Sequence, residues 1–302
     1  MAINVSTLTE YVDEQRLPLI SKAVLGSKSA KLFNLQTGVK YKSKINLLST
    51  AVTFGDGSNC GFTAAGSSTL SQREIEAGLV KVNMEFCDKD LLPTWAQHEV
   101  KVAAGAKSLP FEQEFIDGVI AGTNANLEKA IWQGDTDSLD ANLKAFDGLI
   151  KILDAEASVI VPVLSTAPAT VSEALKAVYM AIPVEVLEGA SIVVGMDTYR
   201  TYVMELTEKN LFHYNPVVDA ANELVMPGTT TKVIGVPGLN GTKHIYAMDL
   251  ARNVFYGTDM ENDQEKFIFK QDEKQGNHYL IINFNAGVQV AFPDQIVSYE
   301  MV

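Results

Sequence analysis

Val39-Lys40-Tyr41-Lys42-Ser43-Lys44-Ile45-Asn46-Leu47 alternates without a break between two kinds of residue. Val39, Tyr41, Ser43, Ile45 and Leu47 fall on one side, and Lys40, Lys42, Lys44 and Asn46 on the other. Period-two alternation predicts a strand with one wet face. A second such strand is expected through Val80, Val82, Met84 and Phe86, with Lys81, Asn83 and Glu85 opposite. Between them, Leu48 to Leu70 is rich in Gly, Ser, Thr and Ala and includes Phe54-Gly55-Asp56-Gly57 and Cys60-Gly61-Phe62. Such composition builds no core of its own. The stretch from Thr37 to Phe86 therefore reads as a long two-stranded finger with a flexible tip. About twelve residues of strand reach roughly 40 Å. An isolated pair of strands is marginal in water, and its edges invite unwanted pairing. The finger either folds back onto its own core or lies against something outside its own domain, most simply a neighbouring copy.

Outward from the finger, residues 1–35 carry sparse, unphased apolar positions interrupted by Pro18, with Gly26, Ser27 and Ser29 adding flexibility. They read as an extended arm, with a short helix possible around Val5 to Arg16. On the other side a long helix is predicted from Pro110 to Gly134, capped by Ser108 and started by Pro110. Its stripe runs through Phe111, Phe115, Val119, Ile120, Leu127, Ala130 and Ile131, and its length is about 37 Å. Glu112, Glu114 and Asp117 suit the positive end of the dipole, and Gly134 is a natural stop. Gly118 and Gly122 weaken its intrinsic propensity, so tertiary contacts must hold it. Further on, Val171 to Ala181 reads as an amphipathic helix and Ser191 to Gly195 as a buried strand. Asp197 is expected to cap a helix reaching Glu208. Strands follow at Thr229 to Val236, His244 to Met248 and Lys266 to Lys270, with a short segment from Phe255. Leu280, Ile282, Phe284, Ala286, Val288, Val290 and Phe292 then alternate to Pro293, the most regular pattern in the chain.

The chain has 302 residues, 47% of them hydrophobic, and a formal charge of −13. Its length suggests about two domains. It holds no run of about eighteen apolar residues and no basic-then-apolar start, so neither a membrane span nor a secretory signal is expected. The acidity works against dense phosphate binding. The two cysteines, Cys60 and Cys87, form neither a disulfide framework nor a zinc pattern. His98, His213, His244 and His278 share no metal-ligand spacing. No nucleophile elbow and no P-loop occurs. Gly235 to Gly241 carries a proline where a phosphate loop offers a donor, and reads as a tight turn. Asp135-Thr136-Asp137-Ser138-Leu139-Asp140 lacks the glycine and glutamate of a calcium loop and is expected to cap the next helix. No pocket is legible around Glu74 and Glu76 to shift their pKa values for acid–base work. The expectation is therefore no catalytic residue, no metal and no cofactor.

The order of parts resembles the major capsid proteins of tailed phages, the Hong Kong 97-type fold. It is an α+β architecture with an N-terminal arm, a long E-loop hairpin, a spine helix, a peripheral domain and an axial domain. Ser191-Ile192-Val193-Val194-Gly195-Met196-Asp197-Thr198-Tyr199 and the helix after it look like the axial strand and helix. Thr231 to Leu239 resembles the strand and Val-Pro turn of relatives, and Tyr279 to Phe292 with Pro293-Asp294-Gln295 resembles their final strand and ending. The resemblance implies an arm at 1–36, an E-loop at 37–87, and a peripheral domain at 88–150 with its spine helix at 110–134. An axial domain at 151–264 and return strands at 265–302 complete it. It further implies self-assembly into hexamers and pentamers of an icosahedral head around double-stranded DNA, bound without sequence specificity. Portal and scaffolding or decoration proteins are the implied partners, the virion, assembled in the host cytoplasm, is the implied place, and no membrane is involved. Because the chain begins almost at the arm, a separate scaffolding protein, or none, is implied. Some relatives cross-link an E-loop lysine. Lys40, Lys42 and Lys44 sit near the finger's base rather than its tip, which argues against that chemistry.

Phe54 and Phe62 at the tip, and Lys40, Lys42 and Lys44 on the wet face, are the candidate intersubunit contacts. Two other readings stand beside the head protein. One is an encapsulin-like nanocompartment shell, which shares the fold. The other is a soluble α+β enzyme, which needs a convergent polar cluster that the sequence does not display.

Overall fold

The computed structural model describes residues 12, 15–54, 66–87, 111–164, 166–209, 223–259, 266–272 and 277–301. In chain order, α1 (Arg16–Leu25) and α2 (Lys28–Leu32) precede β1 (Asn34–Gln36), β2 (Lys42–Val52), β3 (Gly66–Glu76) and β4 (Gly78–Cys87). The long helix α3 (Phe111–Gln133) follows, then α4 (Leu149–Asp154), α5 (Val171–Ala181), β5 (Ser191–Gly195) and α6 (Met196–Glu208). The chain closes with β6 (Glu223–Val225), β7 (Lys232–Val236), β8 (His244–Met248), α7 (Leu250–Asn253), β9 (Val254–Thr258), β10 (Lys266–Asp272), β11 (Asn277–Val290) and β12 (Val297–Glu300).

The regular alternation before Pro293 becomes β11, the axis of the first five-stranded sheet. On one side β11 pairs with β4 from Asn277↔Cys87 to Ala286↔Gly78. On the other it pairs first with β10 and then with β9, and β1 joins β9 in parallel. Leu280, Ile282, Phe284, Ala286, Val288 and Val290 are all buried in a core shared with α1 and α3. Each of these side chains except the small Ala286 contributes roughly 1.5–3 kcal/mol when fully removed from water, so this face outweighs any alternative register of the strand. The second five-stranded sheet runs β12-β8-β5-β7-β6, with only β5–β7 parallel. Val193, Ile234, Val236, Tyr246 and Met248 face the shared core. Ile192, Val194, Val233, Ile245 and Ala247 face the opposite way, under α5 and α6.

The helix α3 lies where the two sheets meet. Its buried stripe centres on Ile116, Ile120, Leu127, Ile131 and Trp132, while Phe115 and Val119 are half-buried at its side. Gly134 stops it for a reason other than a left-handed cap. A Cβ there would lie 2.5 Å from the carbonyl oxygens of both Ala130 and Phe146. The Ser108 cap and the Pro110 start lie outside the described residues.

Several expectations need correction. The strand through Val80 to Phe86 forms, but it pairs with β11 and not with β2. The finger's return limb is β3, and the stretches Leu48–Val52 and Gly66–Leu70, expected as flexible tip, are strand. The chain leaves the finger for the first sheet at Ala77, because Gly78 packs where any Cβ would strike the Ala145 carbonyl oxygen at 1.7 Å. Residues 16–36 are not an extended arm. Leu19, Ile20, Ala23 and Val24 of α1 are buried against the core. Pro18 is tolerated because the first turn of a helix has no intrahelical acceptor for its N–H groups. The helix considered around Val5 to Arg16 lies mostly outside the described residues. Asp135 and Asp137 cap no helix and instead hold Lys151. Asp197 stands inside the first turn of α6, whose cap position is Gly195, and its carboxylate accepts from the Gly241 N–H at 2.9 Å. The boundary drawn at 264 also fails as a division of sheets. β9 belongs to the first sheet and β12 to the second.

Candidate assembly surface

The antiparallel pair β2–β3 runs in register from Lys42↔Glu76 to Val52↔Gly66 and forms a two-stranded sheet of its own. Alternation gives it two faces. One face carries Ile45, Leu47 and Ile75 at the base, buried with Val39 and Ala291 against Phe255 and Phe292. Tyr41, expected on that face, is exposed instead. The other face changes character from base to tip. Lys42 is ion-paired with Glu76, Lys44 stands opposite Glu74, and the Gln72 amide donates to Asn46 Oδ1 at 2.8 Å. Leu48 and Leu70 then oppose each other at 65% and 70% exposure, followed by Val52 at 76% and Phe54 at 97%.

The predicted contact residues divide accordingly. Phe54 is fully displayed, and Phe62 lies outside the described residues. Lys42 is engaged within the finger, where its hydrogen bond to Glu76 raises its pKa above the ordinary lysine value. Lys44 is exposed, and Lys40 is exposed at the base, where its carbonyl accepts from Asn285 Nδ2 at 2.9 Å. Leu48, Leu70 and Val52 were not singled out. Their signal was present, because extending the alternation beyond Leu47 places Leu48 and Val52 together on the wet face.

A cross-strand glycine pair seats the base. Gly257 and Gly287 are register partners in β9 and β11. A Cβ on Gly287 would lie 2.1 Å from the Glu76 carbonyl oxygen, and one on Gly257 would lie 2.7 Å from Ile75 Cδ1. Gln289 Nε2 donates to the Glu74 carbonyl at 2.9 Å, and Arg73 is ion-paired with Glu156.

A groove of about 960 Å³ runs between β4 and α3. Leu79, Val80, Val82 and Met84 form one wall, and Phe115, Val119, Leu127 and Ala130 the other, with Phe86 and Phe115 edge-on at 4.9 Å. α3 is unusually bare here. A Cβ at Gly118 or Gly122 would meet nothing within 4 Å, although each glycine costs the helix about 1 kcal/mol relative to alanine.

Two polar devices hold the frame. Glu128, buried on α3, accepts from the Ser29 N–H at 2.8 Å and the Ser29 hydroxyl at 2.6 Å, while Trp132 Nε1 donates to Ser29 Oγ at 2.7 Å. Lys28 reaches across to the Gly235 carbonyl of β7 at 2.8 Å. Elsewhere Lys151 Nζ sits 2.6 Å from Asp135, 2.9 Å from Asp147 and 3.0 Å from Asp137. Hydrogen bonds to Asp135 and then Asp147 raise the lysine pKa, and Lys151 in turn lowers that of Asp135. Burial works against the Asp147 carboxylate, but the Thr136 and Lys151 hydrogen bonds outweigh it and keep its pKa below the ordinary value. Carboxyls with depressed pKa values stabilise the fold above their unfolded value of 3.8 and lose that contribution as pH falls through the folded value. The lysine's contribution is full below 10.5. Lys151→Met is therefore expected to lower the urea midpoint by the same amount at pH 5 and pH 7, and by less once the pH falls below 3.8. A gap that persists undiminished at pH 2.5 would contradict the assignment.

Among the described residues, no group of His, Cys, Asp or Glu is arranged to hold a metal ion, and no helix is long and apolar enough to cross a membrane. His244 stacks on Tyr246, and the buried His278 stacks on Phe269.

No family model matches the sequence, and no curated protein matches it either. Solved structures do. The chain superposes on one from the satellite phage P4 procapsid, a structure that includes the size determination (Sid) protein. The TM-score is 0.61 at 12% identity, covering 94% of this chain and 90% of that one. The capsid of an empty GTA particle matches with TM-score 0.59 at 13% identity, over 93% and 90% of the two chains. The chain has the Hong Kong 97-like capsid fold. The holo-SrpI encapsulin complex from Synechococcus elongatus shares it, with TM-score 0.52 at 10% identity over 89% and 85%.

Proposed function

We propose that this chain is a structural shell subunit that self-assembles into the hexamers and pentamers of an icosahedral phage head enclosing double-stranded DNA. The finger carries the proposal. Its outer half is a two-stranded sheet with Leu48, Leu70, Val52 and Phe54 displayed to solvent, and apolar patches of this kind mark interaction surfaces. A symmetric array gives each finger the next copy to lie on, and modest contacts sum over many copies. The first sheet with α3 then serves as the peripheral domain and the second sheet with α5 and α6 as the axial domain. The role is mechanical and involves no catalytic step. A chain of charge −13 suits a wall that contacts packaged DNA without sequence-specific grip. Portal, and scaffolding or decoration proteins, are the remaining partners, and assembly in the host cytoplasm ending in the virion is the setting.

The encapsulin match supports a second reading, a nanocompartment shell around a protein cargo. Sedimentation and electron microscopy of the purified full chain test both. Closed particles of megadalton size are the expected result, and a monomer or dimer at all concentrations would overturn the shell reading. Particles that co-purify with one enzyme rather than packaging DNA would favour the nanocompartment.

A further inference from the structure

We propose that Asn240–Gly241, in the turn between β7 and β8, is a modification site that the folded chain holds silent and that loosening of the turn opens. The pair is the only Asn–Gly in the 302 residues. In such a pair the glycine amide nitrogen can reach the asparagine side-chain carbonyl carbon, because glycine puts no Cβ in the way. The Gly241 nitrogen gives up its proton and bonds to Asn240 Cγ, the Cγ–Nδ2 bond breaks, and ammonia leaves. Water then opens the five-membered imide at either carbonyl and leaves aspartate or its isoaspartyl isomer. Water is the only co-reactant.

Exposure favours the reaction. Asn240 and Gly241 are both exposed, and Gly241 stands at φ 78° with open space where a Cβ would lie. The backbone opposes it. Asn240 holds φ −60° and ψ 133°. Ring closure needs the Gly241 nitrogen nearly eclipsed with Asn240 Cβ, a rotation of roughly 100° about the Cα–C bond from that position. Three hydrogen bonds resist the rotation. The Met196 N–H donates to Asn240 Oδ1 at 2.7 Å and pins the side chain to the start of α6. The Gly241 N–H donates to Asp197 Oδ2 at 2.9 Å, so the attacking nitrogen is itself held. Gln133 Nε2, at the end of α3, donates to the Gly238 carbonyl at 2.6 Å and fixes the turn from below. Asp197 is the positioning residue, since it acts on the nucleophile directly.

The same bonds give the modification its effect. The isoaspartyl form adds a methylene to the main chain between β7 and β8. Either product places a new carboxylate beside Asp197, where like charges repel. The turn fastens α3 and α6, and its Lys243 carbonyl also accepts from the Met301 N–H at 3.1 Å. Conversion therefore releases α3 from the second sheet's turn irreversibly, and a chain that has stayed loosened carries a chemical mark of it. None of this rests on the shell reading.

The test holds purified full chain in mildly alkaline buffer, folded or in strong urea, and samples it over days. Trypsin then releases Val233–Lys243, whose amide-to-acid mass shift reports conversion of Asn240. Folded wild type is expected to convert about tenfold or more slowly than the urea-unfolded chain. Asp197→Ala, kept below its own urea midpoint, is expected to convert about tenfold faster than folded wild type, because a hydrogen bond to a charged acceptor is gone. Asp197→Asn keeps an acceptor oxygen and is expected to stay slow. Gln133→Leu loosens the turn from α3 and decides the matter if Asp197→Ala does not fold. Folded wild type converting as fast as unfolded chain would overturn the proposal. So would a folded Asp197→Ala, or in its absence a folded Gln133→Leu, that converts no faster than wild type.

Discussion

Trp132→Ala is expected to destabilise the chain by about 3–5 kcal/mol, the range for truncating a large buried aromatic. Trp132 is fully buried and sits where three parts of the chain meet. Its ring stacks on Tyr246 of β8 at 6.0 Å and stands edge-on to Phe33 at 6.0 Å, and its Nε1 donates to Ser29 Oγ. Gly238, at the turn after β7, packs so closely that a Cβ would lie 2.3 Å from Trp132 Cδ1. Truncation thus opens a cavity between the sheets and removes one partner from a buried polar group. Ser29 Oγ still bonds Glu128, so the buried carboxyl keeps its partner, and the loss is mostly packing. Trp132→Phe keeps much of the ring and should cost clearly less. Guanidinium unfolding of the three proteins measures the differences. An alanine variant within 1 kcal/mol of wild type, a bound set by the aromatic-truncation range, would show that the sheets are joined by something other than this side chain.

Gly287→Ala is expected to dislodge the base of the finger. The new Cβ would meet the Glu76 carbonyl oxygen at 2.1 Å and Ala77 Cα at 2.9 Å, both backbone atoms that cannot rotate away. Overpacking of this kind costs roughly 1–3 kcal/mol, but stability is the smaller part of the effect. The Gln289 to Glu74 hydrogen bond and the Ile75 cluster depend on the same approach, so β2–β3 should swing free. Limited proteolysis between Leu48 and Leu70 should quicken at least tenfold, and particle yield should collapse. Gly257→Ala is expected to act in the same direction but more mildly, because its Cβ meets side-chain atoms, Ile75 Cδ1 at 2.7 Å and Val39 Cγ2 at 3.2 Å, rather than backbone. Equal proteolysis of wild type and Gly287→Ala would sink the account of how the finger is seated.

Together these two sites describe a stiff body with a projecting part. α3 and the Ser29–Glu128–Trp132 group bind the two sheets into one core, while the finger is held by a narrow footprint: the glycine pair, the buried Ile45, Leu47 and Ile75, the Gln289–Glu74 hydrogen bond and the Arg73–Glu156 ion pair. A shell subunit needs both properties, because contacts at the finger's far end can act on the body only if its base does not slip.

The sequence by itself determined the types of element and their order. Period-two runs made β2, β4 and β11 legible, the near-3.6 stripe marked α3, and Val171 to Ala181 and His244 to Met248 were bounded correctly, because side-chain periodicity is a local property of the backbone. It also made legible that the finger lacks residues for a core of its own. The tertiary structure alone decided which strands pair. β4 answers the β2 pattern in alternation, yet it joins β11, since ten register pairs over a buried face gain more than a solvent-exposed hairpin. It alone decided that the arm folds into α1 and α2, that a glutamate at position 128 is buried behind a serine 99 residues away, and that the basic stripe is partly neutralised within the finger while the apolar residues beside it are not. Partners distant in the chain compete for the same buried area and the same hydrogen bonds, and that competition is settled only when the whole chain is packed.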